Sequence, residues 1–531
     1  MGGCATKDLV PHASAIPLTE ERAITLAQLQ HVGAEIVRRC EAEGWEGKRP
    51  MGPPGVDGTP TWTTVALTPE TVTLYDLVEL FIKPHTKARK CSYVEFIASG
   101  PQPPTWFVSH WWGEPVLTFI RCLEQHAVDH GLGEGTCASE FVPDERAAYW
   151  VCAYANNQHN VGADVTADPS QPSFVKAIAL AKGRVLSVLD REGVTYTRAW
   201  CALEVALGLA STYEMVTAVE HNAREQPGTN RVGYMNKHAV CLTQGTCKAD
   251  GREVTFQIWR QSHFPVELAR RAFTIRVQDA VATRPEDAKH IRNYLAGRRG
   301  AELELQPLTD CAGYTRTNEQ LHGEYAARTY RLLLEAGEDM SLCTNRLAAS
   351  SLRELDLSFN GCKTFTDREA WQLAKGLPPT IEKLRLEFPS DEDGSYMIGA
   401  EAAQAILDNA LALPHLRELS FCYSSATEFP AAIEQCKALE TLSLSCNCLT
   451  GAIPSALGQC KRLKELSLNC NQLSGEIPRA LGQCTELRSL ILHTNQLSGQ
   501  IPVELGQCTA LQTLMLDEAQ EGEDQVASFD A

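Results

Sequence analysis

Glu204 is the only charged residue in a predicted apolar helix that runs from Ala199 to Ala210. A helical wheel places apolar side chains on two opposite faces and leaves Trp200, Glu204 and Gly208 on a narrow third stripe. A carboxylate between apolar faces must reach water through a cleft, pair with a cation or hold a proton. The pattern therefore leaves three readings open: a functional carboxylate, a salt bridge with a residue such as Arg198, and simple exposure.

His126 and His130 stand one turn apart on another predicted helix, with His110 and Cys137 nearby in the sequence. A zinc site needs three or four ligands, and no third ligand can be assigned to this pair from the sequence. We therefore expect the two histidines on a solvated helix face. No metal site and no cofactor is predicted.

Other polar groups follow the predicted strands. Cys152 or Cys201 could pair with His110 or His159 as a thiol nucleophile and its base. Asn156 opens a polar run, 156–159, whose side chains could hydrogen-bond a ligand or cap a turn. The sequence contains no Walker-type phosphate loop, kinase signature set or GxSxG elbow, so ATP-dependent and serine-hydrolase chemistry has no support.

The elements that must position these residues alternate between strand-like and helical segments. Strand-like runs occupy 105–110, 148–155 and 184–190, and helical runs occupy 115–131, 172–183 and 197–210. Such alternation predicts an α/β domain with a parallel sheet covered on both faces. Runs 213–219 and 272–277 could add strands, and 284–297 is predicted as a closing helix.

The C-terminal part is a repeat of 24 residues, beginning at Leu439, Leu463, Leu487 and Leu511. Alternating leucines and a Gly-x-Ile-Pro segment are typical of a plant-type leucine-rich repeat. Asparagines at one position of each unit could form an internal ladder, and recurring cysteines are expected in the core rather than on a metal. These residues are Asn447, Asn471, Asn495, Cys436, Cys460, Cys484 and Cys508.

The strand face of this repeat is the expected binding surface for a protein or peptide, because successive coils align their outward side chains. This face is expected to carry little charge. The residues predicted to contact a partner are Glu465, Ser467, Asn469, Ile491 and His493.

The N-terminus, MGGCATK, matches the N-myristoylation pattern at Gly2 and places Cys4 for palmitoylation. One myristoyl chain anchors a protein weakly, so the second acyl chain would be needed. The alternative is an unmodified start that matches by chance. A net charge of −18 argues against nucleic-acid binding, and no apolar run is long enough to span a bilayer. The 20 cysteines are expected reduced, as in the cytosol.

The segments FVSHWWGEP and SFVKAIALAKGRVLSVLDREGVTYTRAWCALEV resemble the Toll/interleukin receptor (TIR) domain. In that family an opening strand ends in Ser and enters a Gly-Glu loop, and a Trp-Cys-x-x-Glu-Leu motif begins the third helix. Val205 replaces the family's Leu, Trp111 and Trp112 are inserted in the loop, and 220–270 departs from the pattern. The matching residues are Ser109, Gly113, Glu114, Trp200, Cys201 and Glu204.

The resemblance implies a flavodoxin-like parallel sheet that works by self-association. It also implies that NAD could be a substrate, with Glu204 as the catalytic carboxylate that stabilises the oxocarbenium-like ribose. Ser109, Gly113, Glu114, Trp200 and Asn156 would then bind the ligand. Many TIR domains act only as adaptors, so a non-catalytic scaffold is the alternative.

The expected protein is a signalling or recognition protein, cytoplasmic and peripheral on the cytosolic face of a membrane through its lipid anchor. Its expected layout is an acylated tail over 1–17, a helical segment with a Pro/Gly linker over 18–100, a TIR-like domain over 101–300, a helical connector over 301–344, a leucine-rich repeat over 345–516 and an acidic disordered tail over 517–531.

Overall fold

The computed structural model describes residues 15–50, 62–134, 141–160, 169–170, 172–209, 211–218, 239–242, 264–360, 362–388 and 398–516. The chain divides into two compact units, Met1–Asn318 and Glu319–Ala531. The predicted lipidation residues Gly2 and Cys4, the predicted acidic tail 517–531 and Cys137 lie outside the described residues.

A mixed sheet forms the centre of the first unit. Its six strands lie in the order β1-β7-β4-β8-β9-β10, in which β7, β4, β8 and β9 are parallel and the two edge strands are antiparallel to their neighbours. The strands of this unit are β1 (Ile24–Thr25), β2 (Glu46–Pro50), β3 (Trp62–Ala66), β4 (Trp106–Ser109), β5 (Gly133–Glu134), β6 (Val142–Pro143), β7 (Ala148–Trp150), β8 (Arg184–Leu189), β9 (Thr212–Ala218) and β10 (Ala239–Leu242).

The parallel strands follow a doubly wound order. Numbered along the chain, β4, β7, β8 and β9 are strands 1 to 4, and they lie side by side as 2-1-3-4. This agrees with the first four positions of the order 2-1-3-4-5, in which ligands bind outside the carboxyl ends of the strands. The predicted parallel sheet with flanking helices is confirmed, while β10 closes the sheet as an antiparallel edge.

Helices cover both faces of this sheet. α1 packs against α5 on one face, where Gly33 lets Ile120 approach closely, while α7 and α8 pack on the other face. The helices of this unit are α1 (Leu26–Arg39), α2 (Leu74–Leu77), α3 (Lys83–Thr86), α4 (Tyr93–Ile97), α5 (Val116–Asp129), α6 (Cys152–Ala155), α7 (Ser173–Leu180), α8 (Ala199–Gly208), α9 (Val266–Ala272) and α10 (Pro285–Leu295).

The structure differs from the expected boundary at residue 100. The short strand β1 pairs with β7, and Leu26, Phe81 and Tyr93 share one hydrophobic core with Val108 and Val216. The residues before 100 therefore belong to the same unit as the parallel sheet, because burying their apolar side chains requires its helix-covered face.

Two secondary-structure predictions in this unit were wrong in detail. The run 148–155 forms the strand β7 and then turns into α6 instead of continuing as a strand. The run 272–277 ends α9 and enters a turn, and a single bridge between Arg198 and Val281 replaces the expected strand. Short apolar runs are ambiguous between helix and strand.

The second unit is a solenoid. Seven parallel strands form its main sheet, and β15, β17 and β19 form a smaller one beside it. The strands are β11 (Glu354–Ser358), β12 (Lys383–Glu387), β13 (Glu418–Cys422), β14 (Thr441–Ser443), β15 (Thr450–Gly451), β16 (Glu465–Ser467), β17 (Gln472–Gly475), β18 (Ser489–Ile491), β19 (Gln496–Leu497) and β20 (Thr513–Met515). The remaining helices are α11 (Ala312–Glu335), whose residues up to Asn318 belong to the first unit, α12 (Met340–Ala349), α13 (Asp367–Gly376) and α14 (Ala400–Leu411).

The predicted asparagine ladder is present. Asn471 Nδ2 donates to the carbonyl oxygens of Leu444 and Leu468 at 2.9 and 3.0 Å, and its Oδ1 accepts from the amide of Leu449 at 3.0 Å. Asn447 and Asn495 bond in the same way. The recurring cysteines are buried, as predicted, and each thiol donates to a carbonyl group of the solenoid. Each coil is thus tied to the preceding one by buried polar contacts.

No helix among the described residues is both long and apolar enough to cross a bilayer.

Candidate functional site

Ser109 and Glu204 meet at the carboxyl edge of the parallel strands. Ser109 is the last residue of β4 and donates its hydroxyl to Glu204 Oε2 at 2.6 Å. Glu204 projects from α8 and exposes 9% of its surface. Burial raises the pKa of Glu204 to about 7, although the Ser109 hydroxyl opposes that change. The structure therefore brings together two of the predicted site residues, and the partner of Glu204 is Ser109.

The alternative readings of Glu204 are excluded by this geometry. The guanidinium of Arg198 donates instead to Thr283 Oγ1 at 2.8 Å. Glu204 is also not on an exposed stripe, because α8 is buried between the sheet and α7 and α10. Glu204 is thus a buried carboxyl group with a pKa close to neutral pH.

Glu114 is a second buried carboxyl group in the loop after β4. Neither of its oxygens has a hydrogen-bond partner among the described residues, and it is 2% exposed. Burial and the nearby Asp190 carboxylate raise the pKa of Glu114 to about 8. Asp190, at the end of β8, accepts hydrogen bonds from the amide of Thr195 at 3.1 Å and its hydroxyl at 3.3 Å. Glu114 is consequently protonated at neutral pH and can act as a hydrogen-bond donor.

The proposed thiol–imidazole pair does not form. Cys152 Sγ accepts from Trp112 Nε1 at 3.0 Å, and Cys201 Sγ lies 3.5 Å from the backbone carbonyl of His110. The ring of His159 contacts Thr86 Oγ1 at 2.9 Å. Burial and the Glu204 carboxylate raise the pKa of Cys152 to about 12 and that of Cys201 well above its usual value. Neither thiol is a thiolate at neutral pH, so neither is an activated nucleophile.

The remaining predicted ligand residues have structural partners. Trp200 Nε1 donates to Asp287 Oδ2 at 3.3 Å, and its ring packs edge-on against Phe174. Asn156 Oδ1 accepts from Ser173 Oγ at 3.2 Å. A Cβ at Gly113 would lie 2.2 Å from the ring of Trp111, so a larger residue at this position would displace that ring. Trp200 and Asn156 hold neighbouring helices in place.

The polar run after β7 caps its own turn. Asn157 Oδ1 accepts from the amide of His159 at 3.0 Å, and Gln158 Nε2 donates to the carbonyl of Ala153 at 3.0 Å. Of the two readings of this run, turn capping is the one its geometry supports.

The expectation of a solvated face for His126 and His130 was wrong. His126 has no exposed surface, and both rings turn toward Glu214 on β9. Sequence inspection missed Glu214 because a strand residue 84 positions after His130 has no local pattern that links it to α5. A lone carboxylate in the apolar run 213–219 was the available signal.

The second unit presents the predicted partner residues on one face. Strand pairing aligns Ser443, Ser467 and Ile491 in one row across β14, β16 and β18, and Thr441, Glu465 and Ser489 in another. Ser445 and Ser467 donate to Asn469 Oδ1 at 2.7 and 2.8 Å. These side chains are half-buried except for Glu465, which is exposed, and His493 follows β18 on the same face.

Charge is concentrated on the first coils of this face. Lys383 lies between Glu354 and Glu418 at 3.3 and 3.5 Å, and Arg385 pairs with Glu387 at 3.0 Å. The face thus changes from paired charges on β11–β13 to mainly hydroxyl groups on β14, β16 and β18, where Glu465 is the exposed charged residue.

Comparisons with known proteins match the repeat. Residues 437–497 match the leucine rich repeat family model. Among solved structures, the BIR2 ectodomain from Arabidopsis thaliana is 40% identical over 17% of this chain and 46% of its own, with a TM-score of 0.16. The Arabidopsis receptor kinase HAESA, solved with the peptide hormone IDA and the co-receptor SERK1, is 28% identical over 32% of this chain and 26% of its own, with a TM-score of 0.24.

A third match is the ectodomain of the receptor kinase SOBIR1 from Arabidopsis thaliana, which is 31% identical over 21% of this chain and 60% of its own, with a TM-score of 0.19. The chain thus spans less than two thirds of each of these three structures. No curated protein matches the chain. The leucine-rich repeat prediction is confirmed, and the resemblance of the first unit to TIR domains stays a prediction.

Proposed function

We propose that this protein recognises an extended peptide segment of a protein partner on the strand face of its leucine-rich repeat. The observation that carries the proposal is the alignment of hydroxyl side chains across β14, β16 and β18, with the Asn469 amide just after β16. Such groups are adaptable hydrogen-bond donors and acceptors for the main chain of a peptide.

The face also has an apolar end. Ile491 on β18 is aligned with Met515 on β20, and Met515 is 45% exposed. An apolar side chain of the partner could be buried there while its neighbouring peptide groups contact Ser467 and Asn469. We therefore expect a partner segment with polar residues followed by one or more large apolar residues.

Selection from a random peptide display library tests this proposal with the full chain. Peptides that combine a polar stretch with a large apolar residue are expected to enrich on the wild-type protein but not on Ser467→Arg, which places a long cation in the middle of the face. Ser455→Arg is the matched control, because Ser455 is exposed at the start of a turn outside this face. Equal enrichment on all three proteins, or none, contradicts the proposal.

NAD cleavage is a second candidate function, in the first unit. It is favoured by the Ser109–Glu204 contact at the carboxyl edge of strands in the 2-1-3-4 order. It ranks second because Glu204 exposes 9% of its surface, so a nucleotide reaches the carboxylate only if neighbouring side chains move. Nicotinamide release from NAD by the concentrated protein, lost in Glu204→Gln, would support it. No release at any protein concentration leaves the alternative, a scaffold that self-associates.

The cellular location is proposed from the sequence alone. Acylation of Gly2 and Cys4 would hold the protein on the cytosolic face of a membrane. Metabolic labelling with a clickable myristate analogue should mark the wild type and not Gly2→Ala, and the variant should leave the membrane fraction. Unchanged fractionation of Gly2→Ala contradicts the lipid anchor.

A further inference from the structure

Three metal-ligating side chains converge on the face of the sheet opposite Ser109. His126 lies on the last turn of α5, His130 follows that helix directly, and Glu214 projects from β9. Glu214 pairs in register with Leu186, whereas Ser109 pairs with Ser187, so the two carboxylate sites lie on opposite faces. The cluster is therefore separate from the Ser109–Glu204 site.

The distances within this cluster suit a small divalent ion. Glu214 Oε2 lies 2.8 Å from His130 Nε2 and 3.3 Å from His126 Nε2, and the potential ligand atoms all lie within 4.8 Å of one another. Zinc binds imidazole nitrogen and carboxylate oxygen at about 2.0–2.2 Å, which places tetrahedral ligand atoms roughly 3.3–3.6 Å apart. Shifts of about 1 Å or less would bring these atoms to coordination distance.

The hydrogen bonding of His126 favours a lone pair that faces Glu214. His126 Nδ1 lies 3.0 Å from the Tyr149 hydroxyl, which can itself donate to the carbonyl of Leu123 at 3.5 Å. In that arrangement Nδ1 carries the proton, and Nε2 directs its lone pair at the carboxylate. His126 Nε2 is buried and, among the described residues, makes no hydrogen bond of normal geometry. With the proton on Nδ1, a cation between Nε2 and the Glu214 carboxylate would satisfy both atoms.

The surroundings give the site one closed side and one open side. The ring of Trp106 packs edge-on against His126, with ring centroids 4.6 Å apart. The His130 side chain is 23% exposed, so an ion and water can approach from that side. Two imidazoles and one carboxylate are the ligand set of zinc sites that keep one position for water.

We propose that His126, His130 and Glu214 bind a divalent transition-metal ion of the zinc class. Tyr149 is a positioning residue, because it orients the His126 ring without touching the ion. The proposal does not depend on the partner-binding function of the repeat or on NAD cleavage.

Cobalt(II) titration of the full chain tests this proposal. The wild type is expected to bind about one equivalent more Co²⁺ than His130→Gln or Glu214→Gln, with visible d–d absorption that both variants lose. Tyr149→Phe should weaken this binding about 10-fold. Thiolate charge-transfer bands in the near ultraviolet distinguish Co²⁺ that is bound by cysteines from Co²⁺ at the proposed site. Circular dichroism verifies that each variant is folded.

The matched control is His290→Gln, because His290 contacts Glu304 at 2.8 Å in a more exposed histidine–glutamate pair, and among the described residues this pair is not part of a three-ligand cluster. This variant should keep the wild-type stoichiometry and spectrum. Identical Co²⁺ binding by the wild type, His130→Gln and Glu214→Gln would overturn the proposal, as would a spectrum that contains thiolate bands alone.

Discussion

Glu114 and Glu204 are carboxyl groups that the fold buries without a cationic partner among the described residues. Burial is the main cause of the raised pKa in both cases, and Ser109 partly relieves it for Glu204. A proton on Glu114 avoids the cost of a buried, unpaired charge. These residues therefore couple the stability of the first unit to pH.

Glu114→Gln should remove part of that coupling. The folded protein keeps the Glu114 proton up to about pH 8, whereas the unfolded chain releases it above an ordinary pKa of 4.5. Wild-type stability therefore falls as pH rises from about 5 to 8, since the folded state binds more protons there. The variant should show a shallower fall in urea unfolding at pH 5, 6.5 and 8. Parallel stability curves for the two proteins contradict the burial of this carboxyl group.

Asn471→Ala should destabilise the repeat. Asn471 makes three buried hydrogen bonds to backbone groups of two coils, and its loss leaves those groups unsatisfied. We expect a loss of about 3 kcal/mol in the free energy of unfolding. Asn469→Ala, two positions away on the half-exposed strand face, should cost about 1 kcal/mol or less. Equal costs in chemical denaturation would show that the ladder does not stabilise the solenoid.

Single residues were predictable where the local pattern was unusual. Glu204 stood out as a lone charge in an apolar helix, and the repeated asparagines and cysteines stood out by their spacing. The hydrogen-bond partners were less accessible, because Ser109 lies 95 residues from Glu204. The contact of His126 with Glu214 was missed for the same reason, because the two residues lie far apart in the sequence.

At the scale of elements, close contact between coils depends on glycine at one position of each repeat. A Cβ on Gly458 would lie 2.2 Å from the carbonyl oxygen of Ala480, and one on Gly482 would lie 2.2 Å from that of Glu504. Neither atom is on a flexible side chain, so the neighbouring coil would have to move.

Gly482→Ala should therefore lower the stability of the solenoid by about 1–3 kcal/mol, as overpacking does in protein cores. Gly506 occupies the same position in the next repeat, but a Cβ there would meet no atom within 4 Å. Gly506→Ala should consequently be neutral or up to about 0.5 kcal/mol more stable. Thermal unfolding of both variants measures the difference, and similar midpoints would contradict the stacking of adjacent coils.

Strands were predictable where both of their faces are buried, because such strands are continuous apolar runs. The apolar runs that became β4, β8 and β9 lie in the middle of the sheet, where both strand faces are covered. The edge strand β1 has two residues, too few for a pattern, and it was predicted as part of a helix. The strand conformation of so short a segment depends on its pairing with β7, which the local sequence does not show.

At the scale of the whole molecule, the two units were predictable to different degrees. A repeat of 24 residues predicts a solenoid directly, because each unit must bury its leucines against the next unit. The extent of the first unit was not predictable from composition. Its N-terminal helices lie on both sides of a Pro/Gly-rich sequence that is typical of a linker, yet they share the core of the parallel sheet.

Binding of a selected peptide to the full chain is the most direct measurement of the recognition function. Isothermal titration should give a Kd that rises at least 10-fold in Ser467→Arg, because the arginine displaces a peptide hydrogen-bonded to Ser467 and Asn469. Ser455→Arg should bind like the wild type. Equal Kd values for all three proteins would contradict the claim that the strand face of the repeat is the recognition surface.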